Sequence, residues 1–405
     1  MPLLVQKYGG TSVGSPERIQ KVADRIVKTR RAGTDLVVVV SAMGDTTDDL
    51  LDLAHKVSDK SHPREMDMLL TAGERISMAL VSMAVNDRGQ EAVSFTGSQS
   101  GIVTDTSHTR AKILEVKGDR IREEVSRGRV VIVAGFQGVS KDREVTTLGR
   151  GGSDTTAVAL AAALRAEACE IYTDVDGVFT ADPRIVPDAR KLDGLTYDEM
   201  LELASLGAKV LHPRSVEIAR RFRVPVHVRS SFHDGNGTFI GKGGSMEQVV
   251  IRGIAHDPDV AKVALLGVPD RPGVAAEIFR AIGGQGVNVR MIVQASGSDG
   301  KNDVTFAVGS HEVRGVLPLV EDLRKRMGAR AFVYDPDVAI LSVVGEGLAT
   351  SPGTAGEVFA ALAAEKVNID IISTSSITIT CIVRKEDLDR AVKALHAALK
   401  LEQEV

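Results

Sequence analysis

Arg271-Pro272-Gly273-Val274-Ala275-Ala276-Glu277-Ile278-Phe279 returns 80 residues later as Ser351-Pro352-Gly353-Thr354-Ala355-Gly356-Glu357-Val358-Phe359. The offset persists downstream, where Gly286-Val287-Asn288-Val289 matches Lys366-Val367-Asn368-Ile369 and Ile292 matches Ile372. Each copy reads as a strand, a Pro-Gly turn, an amphipathic helix, two strands and a helix. That βαββα(β) order is the ferredoxin-like plan, and its repetition predicts two like units in tandem, 251–335 and 336–405, with strands open to exchange between them.

Upstream of the repeat the pattern changes. Leu3–Lys7, Leu36–Val40, Ala92–Phe95, Val130–Ala134, Glu170–Thr173 and Val226–Val228 are short β-branched runs that read as buried strands, separated by helical patterns. In the first of these helices Ser15 caps, Pro16 stands in the first turn, Ile19, Val22, Ala23, Ile26 and Val27 form the buried stripe, and Gly33 ends it. Alternation of this kind predicts an α/β domain over residues 1–233, with an open, mostly parallel sheet covered by helices on both faces. The glycine-rich run from His233 to Ser245 reads as a linker or exposed hairpin, and the linker is placed at 234–250.

A chain of 405 residues exceeds one ordinary core, so two or three domains are expected. Its 43% hydrophobic and 26% charged content is that of a globular protein, and a net charge of −4 argues against a general nucleic-acid binder. Cys169 and Cys381 stand far apart in no metal-ligand spacing and read as buried apolar thiols of a reducing compartment. Met1–Gly10 reaches a glycine turn too soon for a signal-peptide core, and no apolar run approaches the roughly 20 residues of a membrane span. A cytoplasmic location follows as the expectation.

Several segments carry chemistry. Lys7-Tyr8-Gly9-Gly10-Thr11-Ser12 closes the first strand with glycines, whose amides can cradle phosphate, and with a lysine that can face a transferring phosphoryl group. A plain tight turn is the alternative, and the GxxxxGK[ST] spacing of a Walker A loop does not occur. Ser41 and Thr47, after the second strand, suit either ligand binding or helix capping. Glu74, in an apolar helical pattern, could hold a substrate ammonium, pair with Arg75 or face solvent. Leu148-Gly149-Arg150-Gly151-Gly152-Ser153-Asp154 opens an Ala-rich helix with an arginine suited to a carboxylate and helix amides suited to an anion. Tyr172–Arg184 crowds carboxylates into a short loop able to hold ribose and magnesium-bound phosphate, without EF-hand spacing. Lys209 could balance phosphate charge, and His212, before Pro213, reads as structural.

Taken together, Lys7–Ser12, Val40–Gly44, Leu148–Asp154, Tyr172–Pro183 and Gly207–Pro213 resemble the aspartate kinases of the amino-acid kinase superfamily. The tandem repeat looks like ACT domains, which bind free amino acids. The resemblance covers essentially the whole chain. It implies that ATP phosphorylates the β-carboxylate of aspartate, with Mg2+ carried on the nucleotide. Lys7 would stabilise the transferring charge, with Gly9 and Gly10 on the phosphates and Asp154 orienting the lysine. Ser41 and Thr47 would hold the reacting carboxylate, Arg150 the α-carboxylate and Glu74 the ammonium, with Gly152 and Ser153 beside them. Thr173, Asp174, Asp182, Arg184 and Lys209 would line the ATP site.

In the ACT units Asp270, Arg271, Gly273, Ala276, Asn288 and Gln294 match the effector-contact region for lysine, threonine or both. The second unit departs from the family pattern, because Ser373-Thr374-Ser375-Ser376-Ile377-Thr378 lacks the usual glutamate and the later basic residue. Met246 matches the boundary at which some relatives start a short regulatory subunit, so a homo-oligomer or a heterotetramer is expected. Lys242-Gly243-Gly244 just before it can be encoded by a purine-rich stretch resembling a ribosome-binding site. The competing readings are a kinase for a different small carboxylate and a catalytically inactive amino-acid sensor.

Overall fold

The computed structural model describes residues 1–60, 62–241, 250–297, 300–348 and 351–403. Met246 and the Lys242-Gly243-Gly244 stretch lie outside the described residues. The chain forms two units. The first comprises Met1–Val178, Lys191–Ser205 and Lys209–Ser245, and the second Phe179–Arg190, Leu206–Ala208 and Met246–Val405.

In the first unit the chain runs β1 (Leu3–Tyr8), α1 (Pro16–Arg31), β2 (Asp35–Val40), α2 (Thr46–Val57), α3 (Pro63–Asn86), β3 (Ala92–Phe95), β4 (Ile102–Thr104) and β5 (Ile113–Val116). It continues through α4 (Asp119–Ser126), β6 (Val130–Ala134), β7 (Gln137–Ser140), β8 (Val145–Thr147), α5 (Gly152–Leu164), β9 (Ala168–Thr173) and β10 (Gly194–Thr196). The last elements are α6 (Tyr197–Ser205), α7 (Pro213–Phe222), β11 (Val226–Ser230) and β12 (Thr238–Gly241). Eight strands pair in the order β10-β12-β11-β9-β1-β2-β6-β3, all parallel except β11 with β12. β2 and β6 are each buried over five successive residues, because helices cover both faces and leave no solvated side to alternate with.

The local signals for α1 work as read: the Ser15 hydroxyl accepts from the Arg18 amide at 3.3 Å, and Ile19, Val22, Ala23, Ile26 and Val27 are all buried. Those side chains pack on Tyr8, Val38, Val40 and Ile132 on one face of the sheet. α5 covers the other face of β1, as the Lys7–Asp154 pair described below shows.

Four features differ from the sequence reading. A second sheet, β5-β4-β7-β8, forms from strands of three or four residues, too short to show a period. The stretch placed in a linker contributes β12, whose Thr238 and Ile240 are buried and whose backbone pairs with Val226–Val228. Two inward side chains among glycines suffice there because the partner strand is already fixed. α3 contains an 18-residue window of mean hydropathy 1.4, long and apolar enough by composition to cross a membrane, and half of that window is buried within the protein. Finally, Phe179–Arg190 falls inside the expected catalytic domain but belongs to the second unit.

The second unit runs β13 (Val250–Asp257), β14 (Val260–Pro269), α8 (Val274–Gly284), β15 (Val289–Ser296), β16 (Lys301–Gly309), α9 (Val313–Met327) and β17 (Ala331–Asp335). Then follow β18 (Val338–Glu346), α10 (Thr354–Ala364), β19 (Ile369–Thr374), β20 (Thr378–Arg384) and α11 (Leu388–Ala398). Two antiparallel sheets result, β15-β16-β14-β17 and β13-β18-β20-β19. β13 precedes the first repeat yet completes the second sheet, so the strand exchange lies at this end and residues 251–257 do not belong with 258–335. The repeat is visible in the cores: Ala261, Val263, Ile278 and Ile282 in one stand where Leu341, Val343, Val358 and Leu362 stand in the other.

Phe179–Arg190 is held in the second unit by packing and by one hydroxyl. Ala181 and Val186 join the cluster of Ile254, Leu341 and Val358. Thr180, fully buried, accepts from the Arg190 amide at 3.0 Å and shares a 3.0 Å hydrogen bond with His396 Nε2 of α11. Thr180→Val leaves both partners buried without it, and should cost about 1–3 kcal/mol in urea unfolding of the full chain.

Candidate active site

Side chains alternate along β1, so Val5 and Lys7 face α5 while Gln6 and Tyr8 face α1. Lys7 Nζ lies 2.7 Å from Asp154 Oδ1 in the first turn of α5. This is an ion pair at hydrogen-bond distance whose angles leave that oxygen without a formal hydrogen bond. Because α1 and α5 cover opposite faces, β1 stands where the winding of the sheet reverses, and a crevice opens at the carboxyl ends of such strands.

Glycines let three segments meet there. The Gly9 amide donates to the Tyr172 carbonyl at 3.2 Å, and the Gly44 amide to the Gly10 carbonyl at 3.1 Å. A Cβ on Gly10 would stand 3.0 Å from the Ala42 carbonyl. At the start of α5, Gly151 has φ +67° and a Cβ there would stand 2.2 Å from the His212 side chain. A Cβ on Gly135 would stand 2.7 Å from Ser153 Oγ. The first turn of α5 is thus seated backbone-first against its neighbours, with amides that have no intrahelical partner. Arg150, exposed beside it, makes no hydrogen bond or ion pair among the described residues.

Glu74 arrives from α3. Gly73 allows the approach, since a Cβ on it would stand 2.8 Å from that of Ala42. Glu74 is 4% exposed, and Oε1 accepts from the Ala42 amide at 3.3 Å while Oε2 has no partner. Burial raises its carboxyl to about 7. Neither Arg75 nor solvent takes it up. Ser41 and Thr47 do not cap α2: its N-cap is Asp45, Thr46 bonds the Met43 carbonyl, and both hydroxyls lack hydrogen bonds among the described residues.

The remaining candidates divide between the units. Thr173, whose hydroxyl donates to Asp174 at 3.2 Å, and Lys209, exposed after α6, belong to the first. Asp182 and Arg184 belong to the second, where the Arg184 guanidinium grips Asp182 at 2.6 Å and holds that carboxyl below its usual range. His212 is the N-cap of α7, accepting from the Arg214 amide. Among the described residues no three His, Cys, Asp or Glu side chains gather as metal ligands.

In the second unit Asp270, Arg271 and Gly273 lead into α8. Asp270 accepts from Asn302 at 2.9 Å, Arg271 pairs with Glu277, and Gly273 takes φ +96°. Ala276 is exposed on α8, Asn288 precedes β15 with its amide on Glu312, and Gln294 is exposed on β15. In the departing segment, Ser375 and Thr378 bond each other through their hydroxyls at 2.8 Å.

Two groups escaped the sequence reading. Arg214 donates to the carbonyls of Leu148 and Ala111 and so secures the turn before Arg150. Asp67, seven residues before Glu74 on the same face of α3, is fully buried against His108, Thr109 and Thr147. Only the seven-residue spacing to Glu74 could have marked it.

The model of the Amino acid kinase family matches residues 2–230, and models of the ACT domain match 262–325 and 341–399. The first unit is thereby an amino acid kinase domain and the second carries a pair of ACT domains. Over 99% of its length the chain is 54% identical to an aspartokinase of Mycolicibacterium smegmatis, covering 97% of it. It is 50% identical to an aspartate kinase of Pseudomonas putida, over 99% of this chain and 98% of that one. The structure of E. coli aspartokinase III with aspartate and ADP superposes with a TM-score of 0.84 at 26% identity, over 98% of this chain and all of that one. The chain belongs to the aspartokinase family.

Glu74 binds its proton more tightly folded, near 7, than unfolded, near 4.5, so its ionisation opposes folding increasingly as pH rises between those values. Glu74→Gln should therefore gain stability relative to the unsubstituted chain from pH 5 to pH 8, by at most ~3 kcal/mol. Melting curves across that range check it, and a constant difference would contradict it.

Proposed function

We propose that this chain transfers the γ-phosphoryl group of ATP to the β-carboxylate of aspartate, the opening step toward lysine, threonine and methionine, and that amino acids bound to its ACT domains control it. The observation that carries the reading is Glu74 Oε2, a buried carboxylate oxygen without a partner, on the segment that meets the carboxyl ends of β1 and β2. An unpaired buried anion of this kind is suited to a cation, and the ammonium of an amino acid supplies one.

The acceptor carboxylate is already ionised at neutral pH, so the reaction needs positioning and charge neutralisation more than a general base. Lys7, oriented by Asp154, presents its charge to the transferring group, and the amides of Gly10 and of Ser153 in the first turn of α5 face phosphate or carboxylate oxygens. The Gly9 and Gly152 amides, bonded to the Tyr172 and Gly149 carbonyls, hold the two turns in shape. The free hydroxyls of Ser41 and Thr47 hold the reacting carboxylate, and the free guanidinium of Arg150 holds the α-carboxylate. On this reading Thr173, Asp174 and Lys209 of the first unit contact the nucleotide. Magnesium arriving with the nucleotide would supply further neutralisation of the phosphate charge.

E. coli aspartokinase III has been captured with aspartate and ADP, and with lysine and aspartate in a T-state, which supports both halves of the proposal. Lysine, threonine or both are the effectors inferred for the surface around Asp270, Arg271 and Gln294. Assembly is inferred as a homo-oligomer or with a short chain begun at Met246, which Met246→Leu would abolish on expression.

The test is ATP- and aspartate-dependent hydroxamate formation with magnesium and hydroxylamine, repeated with lysine and threonine singly and together. No aspartate-dependent product would overturn the proposal. Lys7→Ala should lower kcat by about a hundredfold or more while changing the KM for aspartate by less than about threefold. Because Glu74 must be ionised to hold an ammonium, the KM for aspartate should rise as pH falls from 8 to 6, and Glu74→Gln should flatten that rise.

A further inference from the structure

Asp67 is fully buried, and three donors from two other segments converge on its carboxylate. The Thr147 hydroxyl donates to Oδ1 at 2.6 Å, and the Thr109 amide donates across both oxygens at 3.0 and 3.2 Å. His108 Nδ1 lies 2.6 Å from Oδ2. An ionised carboxylate only accepts, so the hydrogen-bond network assigns the proton to Nδ1.

The segments so tied are the ones that matter for substrate. Asp67, Thr71 and Glu74 share one face of α3 at i, i+4 and i+7, and a helix over two turns is a rigid spacer. Thr147 ends β8 and leads directly through Leu148 and Gly149 to Arg150. Gly149, at φ +77°, lies against the Thr109 carbonyl, which a Cβ there would approach to 3.1 Å. The Asp67 carboxylate therefore joins the helix of Glu74 to the turn of Arg150, through Thr147 on one side and Thr109 on the other.

We propose that Asp67 is a positioning residue that fixes the spacing between Glu74 and Arg150, and through it the grip on the ammonium and α-carboxylate of aspartate. This rests on the roles given to those two residues above. Asp67 touches no substrate in this role and carries no phosphoryl group, so its loss acts on aspartate binding rather than on ATP.

Thr147→Val keeps the shape of β8 and removes one donor, while Thr147→Ser keeps the donor. His108→Gln removes the imidazole at a half-buried position. In the hydroxamate assay on the full chain, Thr147→Val and His108→Gln should each raise the KM for aspartate about tenfold, leave the KM for ATP within about twofold, and Thr147→Ser should restore aspartate affinity. Melting temperatures taken in parallel separate folding from positioning. An unchanged aspartate KM in Thr147→Val, or KM values for aspartate and ATP that rise together, overturns the positioning role. If the unsubstituted chain forms no aspartate-dependent hydroxamate, the proposed function falls and this inference falls with it. Activity in that chain with an indifferent Thr147→Val removes this inference alone.

Discussion

A carboxylate taken out of water with one oxygen unpaired is a cost the rest of a fold must carry, and Glu74 imposes it here. Everything around it serves the closeness that keeps it dry. Gly73 gives α3 room to lie against Ala42, the turn after β2 lends one amide, and the parallel sheet beneath holds that turn beside the glycines of β1. A protein selected only for stability would replace such a group with glutamine or leucine. With its carboxyl raised to about 7 by burial, Glu74 is the unfavourable element that the proposed ammonium contact would relieve.

The electrostatics elsewhere in the first unit follow the same economy of partners. Lys7 and Asp154 form an ion pair, whereas Arg150 and the hydroxyls of Ser41 and Thr47 have no protein partner among the described residues. Groups that are paired set orientation, and groups that are unpaired are available to a ligand. The second unit shows the paired condition at Asp182, which is fully engaged by Arg184.

What the sequence revealed depended on how local the signal was. β2 and β6 were legible because both faces are buried and their apolar runs are continuous, and α1 because Ser15, Pro16 and the apolar stripe agree. The repeat was legible because eighty residues separate like cores. β4, β5, β7 and β8 are too short for a period, and β12 brings only two inward side chains to a ladder that another strand has already fixed. Phe179–Arg190 could not be placed, since which core receives Ala181 and Val186 is a tertiary fact with no local trace. In the site, Lys7, Glu74, Arg150 and Asp154 stood out as charges among glycines or apolar residues, while Asp67 looked like any acid in the early turns of a helix.

β13 has a temporal consequence. Val250 pairs with Glu346 and Asp257 with Ile340, so this strand is made well before the one that receives it. During synthesis the sheet of β14 to β17 has all its strands first, and β13 waits as an open edge until β18 emerges. A chain stopped after Asp335 would keep that unpaired edge permanently, an invitation to pair with another molecule. The second repeat is thus tied to a strand made before the first, and it cannot be moved to another protein without the segment that lies ahead of them both.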